Sequence, residues 1–259
     1  MNESILLEKI GNVAKITLNR PQVYNSMNRK MALLLQTYLD ECNKDPEVRA
    51  IYIIGAGKAF CAGQDLQELT GENPPALSTV LSEHYNPIVQ RLRYIEKPIV
   101  AAVNGVAAGA GANIAIACDI VVAAESASFV QAFSKIGLIP DSGGTFMLPR
   151  LIGFQRATAL MMLGEKVSAK EAMNIGMIYK AINDEEFLTE SWKIAEKLSQ
   201  MPTQGLGYTK RALNESLRNN LNQQLDIEDN LQTKAGQTAD YAEGVAAFLE
   251  KRVPVFKGA

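Results

Sequence analysis

The chain has 259 residues, 47% hydrophobic and 21% charged, with 26 basic against 28 acidic side chains. That is enough apolar sequence for one large α/β core. A net charge of −2 leaves no electrostatic footprint for nucleic acid or an anionic membrane surface.

One histidine, His84, excludes a multi-histidine metal site and leaves a carboxylate as the favoured general base. Cys42, Cys61 and Cys118 form no CxxC pair, which fits a reduced cytoplasmic protein. The first residues carry acidic groups and no signal-like apolar run, and no segment reaches the ~18 apolar residues of a membrane span. A soluble protein follows.

In chain order, residues 5–7 and 13–18 read as strands joined at Gly11-Asn12. Apolar residues at helical spacing predict a helix over 26–42 with Ser26 as its N-cap. The apolar runs 50–54, 98–103 and 119–124 predict buried strands, and 109–118 a buried helix of small residues. A further strand is expected at 128–130, and a Gly/Pro-rich loop at 137–145. The stretch from Gly71 to Val89, with Pro74-Pro75, reads only as a loop or loose helix. Beyond Gln155 the chain is mostly helical: Ser168 and Glu171 suggest a capping box, Gly176 a helix stop, and 177–182 a short strand. Helices follow at 185–200, 203–218, 220–237 and 240–250. The division expected is a strand-helix core over residues 1–200 and a helical region over 201–259.

Four segments join glycines to polar groups at element ends. Phe60 to Leu66 can place free amide donors at a helix start, or be a tight strand-to-helix turn. In Asn104 to Asn113, seven of ten residues are Gly or Ala, which suits either ligand access to main-chain N–H groups or close helix packing. It is not a P-loop or a dinucleotide fingerprint. Gly137 to Thr145 holds a lone carboxylate, Asp141, which can cap the next segment or act as a base of raised pKa. Lys251 to Lys257 reads as a phosphate contact or a solvated tail. Cys61 reads as a small buried side chain, His84 as a surface or pocket-wall residue, and Trp192 as partly buried packing.

Two amide loops and one carboxylate are the parts needed to form an enolate from a carbonyl. The segments 59–66, 97–111 and 118–120 together resemble the enoyl-CoA hydratase/isomerase (crotonase) superfamily, from about residue 5 to 252. The resemblance implies an α/β fold, a crotonase-like spiral of repeated ββα units, with a C-terminal helical region that forms homotrimers or dimers of trimers. It implies a coenzyme A thioester substrate whose carbonyl oxygen sits between the N–H groups of Gln64 and Ala110. Ala62, Gly63, Gln64, Asp65, Leu66 and Gly109 would contact the ligand, with Tyr24 and Ser26 near the nucleotide and Lys257 at its phosphates. Coenzyme A enters as part of the substrate, with no separate cofactor and no metal.

Hydratases of the family carry two glutamates that activate water; here Asn113 and Phe133 stand at those positions, beside the acyl group. Asp141 matches the single catalytic carboxylate of family isomerases. Residues 133–145, 148–150, 176–179 and 239–249 resemble the isomerases of phenylacetate catabolism. These convert a ring epoxide to an oxepin and move a 3-enoyl double bond to position 2. The reading is therefore an isomerase with Asp141 as proton-transfer base. Its rivals are a hydratase or another thioester enzyme on the same scaffold, and a non-catalytic acyl-CoA-binding subunit.

Overall fold

A computed structural model describes residues 3–70 and 72–259. The expectations that touched residues 1, 2 and 71 lie outside them. Apolar runs make the strands that carry the core. β1 (Ile5–Ile10) and β2 (Val13–Leu18) form an antiparallel hairpin. β3 (Ala50–Gly55), β5 (Ile99–Val103), β7 (Ile120–Ala124) and β10 (Lys180–Ile182) extend it in parallel, in the order β1-β2-β3-β5-β7-β10. Every residue of β3 and β5 is buried, as central parallel strands require.

Each central strand feeds a short strand of a second sheet. β4 (Ala59–Cys61), β6 (Val106–Ala108) and β8 (Ser128–Val130) run parallel, and β9 (Lys166–Ser168) closes that sheet antiparallel to β8. The chain thus steps three times from the large sheet to the small one, as the expected spiral requires. The steps are tight. Asn104 bolts two of them together, accepting from the Gly55 N–H at 2.9 Å and donating to the Gly57 carbonyl at 2.9 Å.

The long helix Arg29–Lys44 starts at Asn28, whose side chain accepts from the Met31 N–H, and not at Ser26. Ser26 instead belongs to a loop that pairs with the chain near Gln64. Of the capping box expected at Ser168, the structure records one half: its hydroxyl accepts from the Glu171 N–H. Residues 77–94 wind as one helical run with a π-helical stretch over Val80–Tyr85, where the Asn86 N–H reaches back to Leu81. The next residue, Pro87, has no N–H to give, and a widened turn beside such a position is a common adjustment. Thr203–Ser216, Leu221–Ala235 and Ala239–Glu250 form the C-terminal helices.

Those helices are tied to the sheet region. The Arg49 guanidinium donates to the Met201 and Phe256 carbonyls at 2.6 and 2.8 Å. Buried Lys210 meets Asp119 at 2.8 Å, and Arg93 bonds Asn214. Trp192 packs edge-on to Tyr52, centroids 5.3 Å apart. Among the described residues, no helix is long and apolar enough to cross a membrane.

Candidate active site

A cavity of about 600 Å³ opens between the first turn of Ala110–Ile116, the residues after β4, the helical run 77–94 and the loop 136–145. Two stitched loops build its polar end. The Ala62 N–H bonds the Tyr24 carbonyl at 3.0 Å, Met27 N–H the Gly63 carbonyl at 2.7 Å, and Asp65 N–H the Met27 carbonyl at 2.9 Å. Beneath them, buried Asn25 donates to the carbonyls of Ala56 and Ala59 at 2.9 and 2.8 Å. The Gln64 N–H, between these pairs, makes no main-chain hydrogen bond among the described residues.

The Ala110 N–H is in the same state. It opens a helix, where the first amides have no intrahelical acceptor, and it makes no main-chain bond among the described residues. Gly109 before it has φ 52° and ψ −126°, a conformation that only glycine adopts readily. Gly63 has φ 89°, and a Cβ there would lie 2.9 Å from the Ala108 carbonyl oxygen and 3.4 Å from the Ala110 nitrogen. Glycine at 63 thus lets the two loops approach. Gln64 and Ala110 both line the cavity.

Asp141 lines it too. Burial raises its carboxyl above the ordinary carboxylate value, while the Ser142 hydroxyl, donating to Oδ1 at 2.8 Å, pulls it down. Ser142 is buried with φ 51°, so this donor is held in a left-handed turn. The carboxylate does not cap the helix Gly144–Ile152. Only the Asp141 main-chain carbonyl is used there, accepting from the Gly144 N–H at 2.9 Å.

Apolar side chains close the rest: Leu69, Leu77, Val80 and Leu81 on one wall, Phe133 and Leu138 on the other. Tyr85 is the group that pattern reading passed over. Buried in the cavity wall, its hydroxyl donates to the Gln64 side-chain oxygen at 2.8 Å. The Gln64 amide nitrogen in turn donates to Glu68 at 2.9 Å. Burial pushes the phenol well above its usual value, so it stays a donor. Its partner lies 21 residues away, which no periodicity signals.

Of the residues expected at the ligand, Ala62, Gly63, Gln64, Leu66, Gly109, Ala110, Phe133 and Asp141 share this cavity. Asn113 does not line it. It is fully buried, with both ends of its amide bonded inside the protein. Asp65 is also withdrawn, paired with Arg20 at 2.9 Å and accepting from the Gln67 N–H. Tyr24 is exposed beside Ala62, while Ser26 is buried and its carbonyl accepts from Arg20 at 2.6 Å. Lys257 is exposed outside the cavity, its N–H held by Asp240 at 2.6 Å. His84 is neither on the surface nor on the cavity wall. It is buried, its Nε2 3.5 Å from the Arg29 guanidinium. Cys61 is buried and its thiol is pushed up to about 11, as a packing residue should be.

Three comparisons bear on the cavity. The family described as Enoyl-CoA hydratase/isomerase matches residues 8–259. The chain is 47% identical over 262 residues to the 1,2-epoxyphenylacetyl-CoA isomerase of Escherichia coli, covering 100% of both chains. It is 46% identical to a probable enoyl-CoA hydratase of Rhodobacter capsulatus, over 95% of each. The crystal structure of an enoyl-CoA hydratase from Bacillus anthracis superposes with a TM-score of 0.94 at 34% identity, covering 99% of this chain and 100% of that one.

Proposed function

Since the chain belongs to the enoyl-CoA hydratase/isomerase family, we propose that it is an isomerase of coenzyme A thioesters. The substrate is a 3-enoyl-CoA, the ring-1,2-epoxide of phenylacetyl-CoA, or both, handled in the cytoplasm during phenylacetate catabolism. The observation that carries this reading is Asp141 facing an apolar cavity while positions 113 and 133 hold no carboxylate.

For the linear substrate the thioester oxygen accepts from the Gln64 and Ala110 N–H groups. Asp141 takes a proton from the α-carbon. The electron pair moves through the carbonyl to give a dienolate, whose oxygen bears the charge. Asp141 returns the proton at the γ-carbon, leaving the double bond between the α- and β-carbons. No atom is gained or lost, so one carboxylate suffices. Each oxyanion donor is worth about 3 kcal/mol of barrier, and the shuttling base 10²–10⁴ in rate on the order-of-magnitude scale. Phe133 puts a phenyl ring where a hydratase needs a base, which favours proton return over attack by water.

Asp141→Asn is expected to cost roughly 10²–10⁴ in double-bond shift and to leave coenzyme A ester binding intact. Unchanged turnover would remove Asp141 from the mechanism. The Rhodobacter capsulatus relative keeps one rival open, a hydratase. A side-by-side assay of a 3-enoyl-CoA, a 2-enoyl-CoA and the phenylacetyl-CoA epoxide separates them, because a hydration product gains the mass of water. We further infer that the chain works as a homotrimer, or a pair of them, through its C-terminal helices.

A further inference from the structure

Asn113 holds more than the absence of an acid. Its Nδ2 donates to the Asp141 main-chain carbonyl at 2.8 Å, and its Oδ1 accepts from Gln131 Nε2 at 2.8 Å. The assignment of the two amide ends is forced. A main-chain carbonyl only accepts, so nitrogen must face it, and oxygen is left for Gln131. The same Asp141 carbonyl also takes the Gly144 N–H at 2.9 Å, so both of its lone pairs are filled. Asn113 is fully buried and Gln131 is 2% exposed. Gly144 packs so close that a Cβ there would overlap the Asn113 amide.

Asn113 also sits one helical turn after Ala110, and its own N–H bonds the Gly109 carbonyl at 3.1 Å. One side chain therefore links the helix turn that presents an oxyanion donor to the loop that presents the base. We propose that Asn113 is a positioning residue, fixing the Asp141 carboxylate relative to the Ala110 N–H, and that this position requires a carboxamide. An ionised carboxylate has no proton to give the Asp141 carbonyl. Glutamine is one methylene longer, and Gly144 leaves no room for it. The inference rests on Asp141 being the proton-transfer base.

Asn113→Asp is the sharpest test, being equal in shape. Where the new acid is ionised, a carboxylate oxygen would face the Asp141 carbonyl, and the loop would shift. With a 3-enoyl-CoA, kcat should fall roughly 10- to 100-fold, the cost of misplacing a catalytic group by about an ångström. KM should change little. The acid limb of kcat should move to higher pH, because a second negative charge beside Asp141 favours its protonated form. A purely structural role would lower the yield of folded protein and leave kcat per folded site and the limb where they were. If Asn113→Asp does not fold, Gln131→Glu carries the test. A carboxylate there draws the Asn113 Nδ2 away from Asp141, so the same fall and limb shift are expected. Wild-type kinetics in whichever variant folds, with Asp141→Asn inactive, overturns the positioning role alone. Activity in Asp141→Asn overturns the base assignment itself.

Discussion

Asp141 stands under two opposed influences, and the balance is testable at a single neighbour. Burial disfavours its charged form, and the Ser142 hydroxyl favours it. The base works ionised, so turnover should fall as pH drops through its folded-state pKa, which lies above the ordinary carboxylate value. Ser142→Gly removes the hydroxyl, and the acid limb of kcat/KM should therefore move to higher pH. Stability should change little. Losing the hydrogen bond costs about 1 kcal/mol, while relieving a non-glycine residue at φ 51° returns about 1–2 kcal/mol. A limb that stays in place while melting is unchanged would show that Ser142 does not tune the base. At this scale the sequence was informative about types and poor about partners. Asp141 stood out because it is the lone carboxylate of the Gly137 to Thr145 loop and falls where the family isomerases it resembles carry their acid. Asn113 was read only as a missing acid beside the acyl group and Tyr85 was not read at all, because the partners of their polar groups lie 28 and 21 residues away.

Two glycines at the start of one helix do different jobs, and alanine should separate them. Gly109 has φ 52° and a would-be Cβ only in ordinary contact, 3.7 Å from the Phe133 ring. Alanine there strains the main chain that aims the Ala110 N–H. Gly109→Ala should cost about 1–2 kcal/mol of stability but on the order of 10²–10³ in kcat, the loss typical of one oxyanion donor. Gly111 has an unremarkable φ, but a Cβ there would overlap the Cys61 carbonyl. Gly111→Ala forces the helix Ala110–Ile116 off β4 and should cost at least about 1–3 kcal/mol, seen as a lower melting midpoint. If both variants lost stability equally and activity equally, the two roles would not be distinct. The elements themselves were legible where local pattern suffices. β3, β5 and β7 are uninterrupted apolar runs, and the C-terminal helices have clear spacing. β4, β6 and β9 are three residues each, held by ladder partners far away in sequence, so nothing local marks them. The helical run 77–94 was hidden by Pro87 and its π stretch, which break the 3.6-residue spacing that pattern reading relies on.

The helices after Pro202 pose a problem that one copy of the chain does not solve. Arg49, Arg93 and Lys210 fasten them to the sheet region, so they are not free to fold back over it. Yet Phe248 is 83% exposed and Leu249 74%, with Tyr241, Val245, Leu221 and Leu225 also outward. A patch of this kind marks a surface that meets another molecule, and the self-association proposed above would cover it without a second gene product. Light scattering on the wild-type chain should give three or six times 28.2 kDa. Phe248→Glu would set an unpaired charge in that contact, at a cost of about 2–5 kcal/mol per interface by analogy with buried interfacial charges. It should shift the mass toward a single chain. Its melting midpoint should become concentration-dependent in the range where subunits separate. Asp141 and the two amides line a cavity made within one chain, so the separated protein should keep measurable isomerisation while folded. A wild-type monomer would remove the assembly, and an assembly indifferent to Phe248→Glu would move it to another face.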